Sequence, residues 1–262
     1  MDTNRGGHVR LADIEFDQLT EDQTIEHIIT TSRSRQGGWL ANPNVDICRQ
    51  ARQDPALRNL VEKASLVIPD GMPLIWAARL GGHGRLGRVA GGSLIYSLSQ
   101  AAARHERSIY LLGGAPEVPY RAAVRLRRRY PGLVVVGADA PPFGFDANLA
   151  MVETVRSRLA AAAPDIVYVG LGCPKQERLI AALAPLFPEA WFVSCGAAIS
   201  YAAGTRPRAP QWMQQTGLAW LFRMLNEPRR LYRRYLIQDL PFAIRLLTAA
   251  TVERFGVARV RR

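Results

Sequence analysis

The residues with the most chemical potential sit at abrupt breaks between apolar runs and helical patterns. Leu66-Val67-Ile68 is a short apolar run that Pro69-Asp70-Gly71 interrupts, and Met72 to Leu80 then has helical spacing. That pattern predicts a strand, a sharp turn and a helix, with Asp70 at the carboxyl end of the strand, where open α/β sheets place their ligands. A carboxylate held there and partly shielded from water can serve as a general base; the plainer alternative is that it caps the following helix. A second break is Gly170-Leu171-Gly172-Cys173-Pro174-Lys175-Gln176-Glu177, after the apolar run Ile166 to Val169. Gly172 permits close backbone approach, Lys175 offers a charge to a phosphate, and Gln176 can read a hydroxyl or a base. Lys175 is one of only two lysines, the other being Lys63. A third break, Gly113-Gly114 after Ser108 to Leu112, could turn backbone N–H groups toward a phosphate at the start of a helix. It is equally readable as a tight strand–helix turn. A fourth, Asn42-Pro43-Asn44-Val45-Asp46 after Trp39-Leu40-Ala41, reads as an Asx-type turn.

These breaks, in this order, resemble the WecG/TagA/CpsF family of bacterial glycosyltransferases, which move a sugar from a nucleotide-sugar to a lipid-linked acceptor. The resemblance rests on the Asp70 turn, the Arg88-Val89-Ala90-Gly91 run, the Asn42 segment, the Lys175-Gln176 turn and Arg208-Ala209-Pro210, and it covers roughly residues 9–247. It implies Asp70 as catalytic base and Arg88 as a second catalytic group. It places Asn42 and Asn44 in the nucleotide-sugar site, with Asn42 standing where the family has threonine. It marks Arg208 as a matching basic residue, and Arg223, Arg230 and Arg233 as required arginines of a C-terminal appendage. Arg230 and Arg233 share a helix face, whereas Arg223 joins them only if the two helices fold back over the site. The implied reaction is inverting transfer of a hexose or N-acetylhexosamine from a UDP-sugar to a polyprenyl-diphosphate-linked sugar, in surface or exopolysaccharide assembly.

Around these residues the chain alternates strand and helix signals. The fold class expected is α/β: a Rossmann-like, mostly parallel sheet flanked by helices over residues 1–204, with a basic helical appendage over residues 205–262 (the GT-E type, by resemblance). Val9 to Phe16 reads as a first strand, Thr20 to Gln23 as a capping box, and Trp212 to Asn226 as one helix.

The net charge is +12, and residues 205–262 hold twelve arginines against three acidic residues, a net +9. Such a tail can attract anionic lipid, nucleic acid or a phosphorylated substrate. No recognised nucleic-acid module accompanies it, so nucleic acid is not expected as a partner. An anionic membrane surface is expected, and self-association is compatible with the sequence. No run reaches the roughly 18–20 apolar residues of a spanning helix, the polar start carries no signal-peptide pattern, and Cys48, Cys173 and Cys195 have no metal-ligand spacing. A cytoplasmic protein, peripheral on the inner face of the membrane, is the expectation. Without an Asp-x-Asp motif, metal-independent transfer is expected, arginines and helix N-termini stabilising the departing UDP. No further cofactor is expected. The competing class is a Rossmann-type oxidoreductase, which the strand–glycine–helix units allow but which lacks a complete dinucleotide fingerprint.

Overall fold

The structure, a computed structural model, describes residues 7–84 and 86–260. The first strand expected over Val9 to Phe16 is instead a hairpin, β1 (His8–Leu11) and β2 (Ile14–Asp17), paired antiparallel outside the main sheet. Ala12 and Asp13 both adopt positive φ, 51° and 65°, which is the geometry of a two-residue hairpin turn. Val9, Leu11, Ile14 and Phe16 all face the core, so the alternation was real but folded back on itself. Asp17 anchors the hairpin by accepting the Val67 N–H at 2.7 Å.

The main sheet has six parallel strands: β3 (Gly38–Ala41), β4 (Leu66–Val67), β5 (Ile109–Gly113), β6 (Val135–Asp139), β7 (Ile166–Gly170) and β8 (Trp191–Ser194). Their order is β4-β3-β8-β7-β5-β6. Helices cover both faces, so the strands read as unbroken apolar runs rather than alternating ones. Trp39, Tyr110, Val167 and Phe192 enter one core layer, while Leu40, Ile109, Tyr168 and Val193 enter the other. The capping box forms as expected: Thr20 Oγ1 accepts the Gln23 N–H and Gln23 Oε1 accepts the Thr20 N–H.

The C-terminal segment departs from the expectation of one helix over Trp212 to Asn226. It forms two, Gln211–Gln215 and Ala219–Asn226. Gly217 separates them with φ of 82°, and a Cβ there would lie 2.8 Å from the Met72 side chain. The break therefore serves a close approach to helix Met72–Leu80. Beyond it, helix Pro228–Tyr232 continues through a π-helical stretch, Arg233–Asp239, into the long helix Leu240–Val260. This segment folds back on the core, with helix Leu240–Val260 against helix Met72–Leu80 and the π-helical stretch against helix Val45–Gln53. No helix among the described residues is long and apolar enough to cross a membrane.

Candidate active site

A cleft of about 430 Å³ lies at the carboxyl ends of β3 and β4, roofed by the C-terminal helices. Its floor is built by the Pro69-Asp70-Gly71 turn. Asp70 N–H donates to the Pro43 carbonyl at 2.8 Å, and Val89 N–H donates to the Pro69 carbonyl at 3.2 Å. Gly71, at φ 112°, then swings the chain into helix Met72–Leu80. That helix has no side-chain cap, so Asp70 does not cap it. Its carboxylate instead accepts the backbone N–H of Gly91, the first residue of helix Gly91–Arg104. Burial raises the pKa of Asp70 above its ordinary value. The charges of Arg88 and Arg223 and the Gly91 hydrogen bond oppose that rise without cancelling it.

Arg88, Arg208, Arg223 and Arg234 line the cleft, together with Asp46, Asp70 and Asp239. Arg88 is fixed by donating to the Gln214 carbonyl at 2.6 Å. Arg208 donates to Gln214 Oε1 at 3.0 Å and stacks over Tyr96. The Nε of Arg223 is buried without a hydrogen-bond partner, and the Arg223 charge acts on Asp70. Helix Met72–Leu80 and helix Leu240–Val260 contribute the apolar wall, including Trp76, Leu240 and Ile244.

Of the three appendage arginines, only Arg223 reaches the cleft. Leu231 is fully buried, so the helix face it shares with Arg234 and Tyr235 points inward. Arg230 and Arg233 lie on the exposed side, and Arg230 bonds Glu227 at 2.6 Å. The place expected for Arg233 is taken by its neighbour. Arg234 is held by Asp46 at 2.9 Å and by Asp239 at 3.5 Å. Arg49 joins both carboxylates, at 2.6 and 3.1 Å. Two guanidinium groups and two buried carboxylates thus clamp the appendage to helix Val45–Gln53. Burial and the Asp46 charge push the Asp239 pKa up to about 6 against the pull of Arg49 and Arg234.

Asn44 lines the cleft and caps helix Val45–Gln53, its Oδ1 accepting the Ile47 N–H at 3.1 Å. Asn42 does not line it. Its amide donates to the carbonyls of Ile68 and Val89 at 2.8 and 2.7 Å, bracing the loops that carry Asp70 and Arg88. Farther along the same sheet edge, Gly113 ends β5, and Gly114 and Gly172 lie on the turns after β5 and β7. Gly113 is required by packing, since a Cβ would meet the Gly170 carbonyl oxygen at 2.7 Å. Lys175 pairs with Asp146 at 3.0 Å and sits 4.6 Å from the centre of the Phe143 ring. Those partners belong to the loop after β6, and β5 lies between the strands the two loops follow. Gln176 is buried, accepting the Gly172 N–H at 3.2 Å and donating to Glu177 at 2.8 Å, so it secures its own turn. Among the described residues no cluster of three or more His, Cys, Asp or Glu side chains could hold a metal.

Comparison with known proteins decides the family. The sequence model of the Glycosyl transferase WecG/TagA/CpsF family matches residues 9–255. The chain belongs to this family. It is similar to the N-acetylglucosaminyldiphosphoundecaprenol N-acetyl-beta-D-mannosaminyltransferase of Bacillus spizizenii strain W23, 30% identical over 213 residues, spanning 81% of this chain and 80% of the relative. The protein of the same description from Bacillus subtilis strain 168 is 27% identical over 194 residues, 74% of this chain and 73% of the relative. This member of the WecG/TagA/CpsF family is accordingly a glycosyltransferase rather than an oxidoreductase. Asp46, Asp239, Arg234 and Tyr235 are cleft residues that the motifs did not single out. Asp46 lay within the Asn42 segment, but the others depend on how the last helices fold back.

Proposed function

We propose that this glycosyltransferase transfers an N-acetylhexosamine, of the N-acetylmannosamine type named for its relatives, from its UDP-sugar to a polyprenyl-diphosphate-linked N-acetylglucosamine, with inversion. The observation that carries this reading is Asp70: a carboxylate with a raised pKa, facing a cleft between the charges of Arg88 and Arg223. The acceptor hydroxyl oxygen attacks the anomeric carbon while Asp70 takes its proton. The bond from that carbon to the β-phosphate oxygen breaks, and the electron pair leaves with UDP. The growing negative charge is met by the guanidinium charges of Arg223, Arg88 and Arg208, which line the cleft. The donor nucleotide is assigned to the glycine turns after β5 and β7, beside Lys175 and Gln176, with its sugar reaching along the sheet edge past Asn44 to Asp70. The exposed Arg230 and Arg233 of the basic appendage meet the anionic inner surface of the membrane, each charge worth about 1 kcal/mol of attraction.

The test is a panel of UDP-sugars with an N-acetylglucosaminyl-diphosphate acceptor on a short prenyl chain, read as UDP release and as the anomeric configuration of the product. UDP-N-acetylmannosamine is expected to be the best donor and a β-linked product is expected. Retention of the donor's α configuration would remove the single-displacement role of Asp70.

A further inference from the structure

The cleft does not end at its charged floor. Met72, Trp76 and Leu80 recur at four-residue intervals and so form one stripe along helix Met72–Leu80. Leu240, Ile244 and Leu247 form a matching stripe on the long C-terminal helix. The two helices pack together and run the same way. Asp70 and Asp239 mark their inner ends, and the Arg254 side chain comes within 3.9 Å of where a Cβ on Gly82 would lie, at the outer end. Trp76 is 37% exposed, Leu80 40%, Leu240 43% and Ile244 53%. The result is an apolar trough about 13 Å long, the length of a nine-residue helix, formed by the apolar wall of the cleft and reaching past it to Leu80. Contiguous exposed apolar surface of this kind marks a binding surface.

We propose that this trough holds the first part of the acceptor's prenyl chain as it leaves the active site. The inference rests on the transfer reading above and names where the acceptor's lipid lies. Continuity and charge select the occupant. One molecule must offer a diphosphate and a hydroxyl to the arginines and Asp70, and an unbroken hydrocarbon to the stripe that begins beside them. A polyprenyl diphosphate sugar has that order of groups. A second protein copy would have to place matching charges at the inner end, and a flat bilayer reaches the outer lip but not Met72 beside the floor.

The experiment uses the full chain without vesicles and N-acetylglucosaminyl-diphosphate acceptors of increasing prenyl length, from a single isoprene unit upward. For the wild type, kcat/KM is expected to rise with chain length and to level off once the extended chain outgrows the trough. In Ile244→Glu, the ratio of kcat/KM for the long acceptor to that for the single-unit acceptor is expected to fall roughly tenfold. Trp76→Ala provides the same test should the first variant not fold. An acceptor with a diazirine at the far end of a short chain is expected to label residues 72–80 or 240–247. Transfer that is indifferent to chain length, or labelling elsewhere, overturns the trough and leaves the transfer reading standing. Labelling of the trough without sugar transfer supports the trough and counts against the transfer reading. Two further results overturn the trough: a dimer that Ile244→Glu dissociates, which makes it a contact between copies, and loss of vesicle binding with an unchanged chain-length ratio, which makes it a bilayer contact.

Discussion

Replacing Asp70 by asparagine should lower activity and raise stability in the same protein. Asparagine keeps an Oδ1 that can accept the Gly91 N–H, so the turn and the start of helix Gly91–Arg104 retain their bond. What is lost is the proton acceptor. General-base catalysis is worth on the order of 10²–10⁴ in rate, or about 3–5 kcal/mol of barrier, and kcat with a soluble acceptor should fall by that factor. The stability effect has the opposite sign. Burial raises the Asp70 pKa above the ordinary 3.8, so the native state holds a proton that the unfolded chain has released. Stability therefore falls as pH rises from the unfolded value through the folded one, and above the unfolded value this buried acid is a net cost to folding. The uncharged variant escapes that cost and should melt at a higher temperature at neutral pH. The gap should close in acid, where both proteins are uncharged at this position. The wild-type pH–rate profile should show an acidic limb displaced above the ordinary aspartate range, absent from the residual activity of the variant. A folded Asp70→Asn protein with near-normal turnover would refute the base assignment. A lower melting temperature at pH 7 would refute the electrostatic account of its site.

Other residues give sharper single readouts. Arg223→Ala should lower kcat about 10²-fold with a soluble acceptor and no lipid, as loss of one preorganised charge donor does; full activity there would remove Arg223 from the stabilisation of UDP. Activity in excess EDTA should match that without it, because the arginines of the cleft are assigned the charge of the leaving group; a collapse that Mg²⁺ or Mn²⁺ restores would contradict that assignment. Asp46→Ala removes one of the two carboxylates that hold Arg49 and Arg234, leaving Asp239 as their partner, and should destabilise the protein by about 1–3 kcal/mol in urea unfolding. Asn42→Ala leaves the Ile68 and Val89 carbonyls without their amide donor and should cost about 1–3 kcal/mol, with activity falling in step as the loops carrying Asp70 and Arg88 loosen.

The inner strands of the sheet were readable because they are buried on both faces, whereas the edge strand β6 has Val136 exposed. Leu66-Val67, Ile166 to Val169 and Trp191 to Ser194 lie where the apolar runs put them. Asp70 was readable because its position depends on a local break and not on distant contacts. The hairpin at Ala12-Asp13 was not, because neither turn residue is the glycine or asparagine that usually signals positive φ. Gly217 was hidden inside an otherwise helical pattern, and only its closeness to Met72 explains it. Lys175 and Gln176 were recognisable by type, but sequence could not say that the glutamine turns inward to Gly172 while the lysine reaches Asp146. The appendage shows the limit most clearly. Arg233 and Arg234 are adjacent and chemically identical, and only the phase of the helix decides which faces Asp46. That phase follows from burying Leu231 and from the π-helical stretch over Arg233–Asp239, neither of which leaves a local signature. The cleft joins a floor from the first hundred residues to a roof from the last sixty. Its buried carboxylate, Asp70, could be found from one turn, while the arginine beside Asp46 could be found only once the roof was in place.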